Sequence, residues 1–153
     1  MARRDKKVKQ IVTSGNTKKP ERTVNPNAYL SKHPVWSFCR CDTEYEKWSI
    51  KNVESFCEDI LDKLISYEGL TWAEIQAASG GKSYGNGTNS HFEYISGMIR
   101  EAQKRAEVLH LDVDQLFSLR LTGNVRLYGI LDDGIFYVLW LDKKHEIYPS
   151  SKR

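Results

Sequence analysis

The sequence predicts an α+β fold: N-terminal helices packed on a small C-terminal antiparallel β-sheet of three to four strands. Three observations predict it. Short apolar-rich runs at 117–121, 125–131 and 135–141, with a shorter candidate at 146–148, are separated by TGN, DDG and DKK. Helical spacing of apolar residues lies ahead of these runs, between about 49 and 108. The two kinds of pattern come in blocks rather than in alternation, which argues against a doubly wound parallel sheet.

The first element is a basic tail. Residues 1–27 hold 8 Lys and Arg against 2 acidic residues, whereas the remainder holds 15 against 18. The positive charge is thus concentrated in a segment with too little apolar surface to offset its ordering entropy, and disorder is the expectation. Arg3, Arg4, Lys6 and Lys7 suit salt-dependent, sequence-independent attraction to nucleic acid. A tail that only confers solubility fits the same composition. Residues 28–153 are expected to form a single α+β domain, with a helical part at about 49–108 and a sheet at about 116–149.

Residues 26–34 read as an entry segment, and Val35-Trp36-Ser37-Phe38 as either a short strand or a clamp on the core. A helix is predicted over 51–67. Val53, Phe56, Cys57, Ile60, Leu61, Leu64 and Ile65 share one face, and Glu58, Asp59, Asp62 and Lys63 share the other. The apolar stripe is broad enough for core packing or for a partner. Gly69 is placed to end the helix. Thr71-Trp72-Ala73-Glu74 has the form of a capping box, opening a short helix to about Ala78. GGKSYGNGTNS, residues 80–90, reads as a polar loop; it lacks the order of a phosphate-binding loop and follows no predicted strand. A further helix is expected over 96–108, with Ile99, Ala102 and Ala106 inward and Arg100, Lys104 and Arg105 outward.

The strands follow. Asp133-Gly134 between two apolar runs is a hairpin signal, since Gly takes the positive φ that the turn requires. Alternation puts Phe117, Leu119 and Leu121 on one side of the first run and Ser118 and Arg120 on the other. In the second run Val125, Leu127, Gly129 and Leu131 oppose Arg126, Tyr128 and Ile130. Arg120, Arg126 and Tyr128 are therefore expected to line one solvent-facing surface. The third run is apolar on both sides, as a central strand should be.

Several function classes are disfavoured. No run of eighteen apolar residues exists, so no membrane span is expected. Residues 1–16 lack the apolar core of a secretory signal. Three cysteines suggest reduced thiols and a cytoplasmic location. Cys39-Arg40-Cys41 with His33 and Cys57 lacks the paired spacing of a zinc site, and no metal or cofactor is expected. Cys57 reads as a buried thiol on the apolar helix face.

The closing stretch LFSLRLTGNVRLYGILDDGIFYVLWLDKKHEIYPS resembles the C-terminal half of the RelE/ParE/HigB-like toxins of bacterial type II toxin–antitoxin systems. The matching features are a basic strand, LRLTGNVR, the hairpin around DDGIFYVLW, and a charged turn of the form D-x-x-H-x-x-Y-P. The resemblance covers about residues 98–151. It implies either a metal-independent endoribonuclease acting on mRNA, on or off the ribosome, or a non-enzymatic toxin that binds a protein such as gyrase. A nucleic-acid-binding or interaction module with the same fold is the other alternative. In the ribonuclease branch the ribose 2′-OH attacks the neighbouring phosphate, which needs a proton acceptor, a proton donor and cations for the developing charge. By resemblance Arg126 matches the arginine directed at the scissile phosphate, and His145 and Tyr148 match the proton-transfer residues. Arg120 and Lys143 would be further phosphate contacts, and Tyr128 could stack on a base. The implied partners are a cognate antitoxin and RNA or the ribosome, with no membrane and an oligomeric state that the resemblance does not fix.

Overall fold

The structure, a computed structural model, describes residues 24–78 and 90–149. The basic residues 1–23 and most of the 80–90 loop lie outside the described residues. The fold is α+β around a five-stranded mixed sheet. The strands are β1 (Val35–Ser37), β2 (His91–Tyr94), β3 (Gln115–Arg120), β4 (Arg126–Asp132) and β5 (Ile135–Asp142). Their spatial order is β1-β5-β4-β3-β2, with β1 parallel to β5 and every other pair antiparallel. The helices are α1 (Asp62–Glu68), α2 (Trp72–Ala77) and α3 (Arg100–Val108).

The expected three to four strands are therefore five, and the helices are not confined to the N-terminal side. β1 precedes all of them, and β2 separates α2 from α3. β1, which realises the short-strand reading of residues 35–38, and β2, which was not expected, are three and four residues long. Their strand character comes from pairing with β5 and β3 rather than from local pattern. The candidate strand at 146–148 is instead part of a turn. The carboxylate of Asp142 accepts from the backbone N–H groups of Lys144 (3.2 Å), Glu146 (3.1 Å) and Ile147 (2.8 Å). A side chain that captures these amides removes them from any ladder.

The central hairpin forms as expected. Asp132 pairs with Ile135, and Asp133 (φ 48°) and Gly134 (φ 89°) both adopt the positive φ of a tight two-residue turn. The capping box also forms: Glu74 N donates to Thr71 Oγ1 (3.3 Å), and Thr71 N donates to Glu74 Oε2 (2.7 Å). The predicted 51–67 helix is broken. A 3₁₀ turn at Ile50–Asn52 and a π-helical turn at Cys57–Leu61 precede α1. The wider π turn shifts the angular phase, so Cys57 no longer shares the core-facing side with Ile60 and Leu64. Ile60, Leu64 and Tyr67 are buried, whereas Cys57 is exposed, and so are Leu61 and Ile65. The buried thiol expected at Cys57 is thus an exposed one.

Both faces of the sheet are covered, which corrects the expectation of an open face. On one face Phe117, Leu119, Leu127, Phe136, Val138 and Leu141 pack against Ile60, Leu64, Trp72 and Ile75. The Trp72 indole donates to Gly134 O (2.9 Å) and sits edge-on to Trp36 and Phe117. On the other face Leu116, Tyr128, Leu139 and Trp140 pack against Met98, Ala102 and Ala106 of the α3 region, with Trp48 and Ile147. Arg105, expected to point outward, reaches Asp42 through two hydrogen bonds of 2.7 Å.

The β4–β5 pair is tightest at Gly129, beside a register irregularity. A Cβ there would lie 2.3 Å from the backbone O of Tyr137 and 2.8 Å from the Phe136 ring. Gly129→Ala is expected to cost about 1–3 kcal/mol, read as a lower denaturant midpoint with unchanged m-value. An alanine accepted at no cost would mean that the two strands can separate there freely.

Candidate functional site

Alternation and register gather polar side chains on the α3-side face of the sheet. Across β2, β3, β4 and β5 one row reads His91, Ser118, Tyr128, Trp140, and the next row reads Arg120, Arg126, Asp142 across β3, β4 and β5. Cross-strand partners share a face, so these rows lie side by side. Glu93, two residues beyond His91 on β2, faces the same way and meets His91 Nε2 at 2.5 Å.

The C-terminal turn closes over one end of these rows. Asp142, fully buried, organises it through the three amides already described. Ile99 N donates to Ile147 O (2.9 Å), tying the turn to the start of α3. His145 at its apex has φ 56°, a left-handed conformation that costs a non-glycine residue energy and persists only where surrounding contacts enforce it. Burial lowers the pKa of the His145 imidazole from its ordinary 6.5, and the Arg126 cation lowers it further; Asp142 and Glu93 act in the opposite sense. The neutral imidazole, which can accept a proton, is favoured at neutral pH.

Arg126 is half-buried and makes no ion pair among the described residues. Its Nη1 is shielded from solvent and has no hydrogen-bond partner among them. Burial lowers the guanidinium pKa, and the adjacent Arg120 charge lowers it further. Two like charges facing one another across a strand pair are destabilising, and the Asp142 and Glu93 carboxylates, which raise the guanidinium pKa, offset part of this. Arg120 also donates from Nε to Gly123 O (3.2 Å), and its backbone N donates to Ser90 Oγ (3.1 Å). The Tyr128 ring is wholly buried in the second core, which leaves no face for a nucleic-acid base to stack on. Burial pushes its phenol pKa well up, with smaller opposing effects from Ser118 and Arg126.

The structure thus brings Arg120, Arg126, Tyr128 and His145 into one neighbourhood. It places two other candidates differently. Lys143 Nζ donates to Asn52 O (2.8 Å), beside a cavity of about 260 Å³ lined by Val53, Ile60, Val125 and Leu141. Tyr148 rests its ring on Gly97, where an added Cβ would meet it at 2.7 Å. Arg3, Arg4, Lys6 and Lys7 lie outside the described residues. His91, Glu93 and Ser118 were not singled out from the sequence. The only available signal was that His91 and Glu93 alternate with Phe92 and Tyr94 in HFEY, putting an acid and an imidazole on one side of a possible strand. A surface cavity near α3, of about 600 Å³, is lined by residues that include Tyr94, Gln103, Glu107 and His110 and lies apart from the arginines. Among the described residues no three His, Cys, Asp or Glu side chains form a metal-holding group. No helix among them is long and apolar enough to cross a membrane.

Comparison with protein-family models, with curated proteins and with solved structures found no match to this chain.

Proposed function

We propose that the chain is a toxin-type, metal-independent endoribonuclease whose site is the Arg120–Arg126–His145 cluster, and that a cognate antitoxin holds it in check. The observation that supports this most is the half-buried Arg126 guanidinium, without an ion pair among the described residues, beside an imidazole of lowered pKa. A scissile phosphate bound at Arg126 would receive bidentate hydrogen bonds from a planar fork that stays charged. His145, neutral at working pH, would take the proton of the attacking 2′-OH. The His91–Glu93 pair, near the same guanidinium, would return a proton to the departing 5′-oxygen. Arg120 would share the charge that builds on the phosphorane oxygens. Tyr148, set against Gly97, would support the turn that carries His145 rather than touch the phosphate. Because both sheet faces are covered, the antitoxin would close the mouth at His145 or use the exposed helix side at Leu61 and Ile65.

The test is cleavage of RNA in EDTA, on naked transcripts and on translating ribosomes, with product ends mapped for 2′,3′-cyclic phosphate. Wild type is expected to cut and His145→Ala to lose most of the activity. No cleavage on either substrate, or equal cleavage by His145→Ala, would defeat the proposal. Growth arrest without RNA cleavage would point to a protein target instead.

A further inference from the structure

We propose that Ser118, Arg126 and Tyr128 form a site for a tetrahedral oxyanion of the phosphate class, served by Tyr128 through its hydroxyl rather than its ring. This rests on the proposal that the cluster receives phosphate, and it assigns the groups that hold the oxyanion.

Three side-chain atoms carry the inference. Ser118 Oγ, Tyr128 Oη and Arg126 Nη1 are all shielded from solvent, and none meets a partner in full hydrogen-bond geometry among the described residues, although the Ser118 and Tyr128 hydroxyls lie close enough for the serine to lower the phenol's pKa. Ser118 and Tyr128 are direct cross-strand partners, and Arg126 lies two residues before Tyr128 on the same face. Buried polar groups nearly always find partners, and a contact between the two hydroxyls still leaves one hydroxyl hydrogen and the Arg126 Nη1 hydrogens without an acceptor. The sorting of donors and acceptors says which kind of ligand would supply one. The neighbouring acceptors are engaged: Asp142 takes three amides, and Glu93 Oε1 meets His91. The remaining groups are donors or can be. A guanidinium only donates, and each hydroxyl can turn its hydrogen toward an acceptor. Burial keeps the Tyr128 phenol protonated, hence a donor, across the physiological range. A patch that offers donors and few free acceptors suits a ligand that only accepts. The Tyr128 ring is locked in the core, so its hydroxyl is held in place before the ligand arrives. Arg126 and His145 beside the patch are each partly exposed.

The decisive variant is Tyr128→Phe in the full chain, which keeps the ring and removes the hydroxyl. Inorganic phosphate is titrated by calorimetry, and thermal unfolding is measured without it. Phosphate affinity is expected to fall about tenfold or more, since a hydrogen bond to a charged group is lost. The unliganded Tm is expected to hold or rise, because a buried hydroxyl without a partner in full hydrogen-bond geometry has been removed. Ser118→Ala should move both readouts in the same sense. Unchanged phosphate affinity in Tyr128→Phe, a lower unliganded Tm, or no phosphate binding by wild type would each overturn the oxyanion site. Phosphate binding that follows the expectation without any RNA cleavage would leave the oxyanion site standing and remove the nuclease. RNA cleavage at equal rates by Tyr128→Phe and wild type would do the reverse.

Discussion

Asp42→Ala is expected to cost about 3–5 kcal/mol of folding stability, read from the chemical denaturation midpoint at neutral pH. The Asp42 side chain is 1 % exposed, and its Arg105 partner 15 %. Its carboxylate receives Arg105 Nε and Nη2 at 2.7 Å each, Trp140 Nε1 at 3.0 Å and Tyr45 N at 3.3 Å. Removing it strands a guanidinium and an indole N–H together. Such a loss exceeds that of a surface ion pair like Lys32–Asp133, whose partners are 44 % and 71 % exposed. Burial alone would raise the Asp42 pKa, but the Arg105 and Trp140 hydrogen bonds outweigh it and hold the value below the ordinary 3.8. A depressed folded-state pKa contributes stability that is present above 3.8 and fades as pH falls through the folded value. The gap between wild type and Asp42→Ala should therefore narrow in strong acid. Asp42→Leu combined with Arg105→Met should recover part of the loss, because the stranded charge is gone, while Trp140 Nε1 still lacks its acceptor. A loss below about 1 kcal/mol in Asp42→Ala would place this pair among the weak surface bridges.

No feature of the sequence announces that pair. Asp42 lies in a segment without periodicity, and Arg105 is 63 positions away on a helix whose spacing puts it outward. Local pattern reports which side of an element a residue occupies, not what is packed over it. The β4–β5 hairpin was legible because Asp133-Gly134 is a local signal and the flanking runs are long. The helix cap at Thr71 was legible for the same reason. β1 was legible only as one of two readings of residues 35–38 and β2 was not, since each is defined by a distant partner: Trp36 by Phe136, His91 by Ser118. The π turn ahead of α1 leaves no mark in composition, yet it rotates Cys57 out to solvent.

The site divides along the same line. That Arg120, Arg126 and Tyr128 share a face follows from counting by twos, and the register bears it out. That the face is covered does not follow, because the covering pieces, Met98 to Ala106 and Ile147, arrive from outside the sheet. The nearness of His145 to Arg126 depends on the turn that Asp142 ties, and no spacing rule contains that turn. The sequence could name the charged residues. Only the tertiary closure turns them into a half-buried cluster whose electrostatics differ from those of an exposed strand.

Arg126→Ala is expected to lower the rate of RNA cleavage by about 10²–10³-fold, the usual loss when a preorganised donor to a developing oxyanion is removed. The loss should fall chiefly on kcat, since the negative charge of the phosphorane is greater than that of the bound diester. Arg126→Lys should restore charge but not the planar fork, and recover only part of the rate. A second readout separates this from a general loosening of the fold. Arg126 depresses the His145 pKa, so its removal should let that pKa climb back toward 6.5. If neutral His145 is the proton acceptor, the residual activity of Arg126→Ala will rise through an acidic limb lying at higher pH than in wild type. Asp142→Asn should do the opposite, because the Asp142 charge raises the His145 pKa. It also weakens the acceptor for the amides of Lys144, Glu146 and Ile147, so their exchange with solvent should quicken. Limbs that stay put in both variants would detach His145 from the chemistry, and a cleavage rate in Arg126→Ala within threefold of wild type would move the phosphate away from this guanidinium.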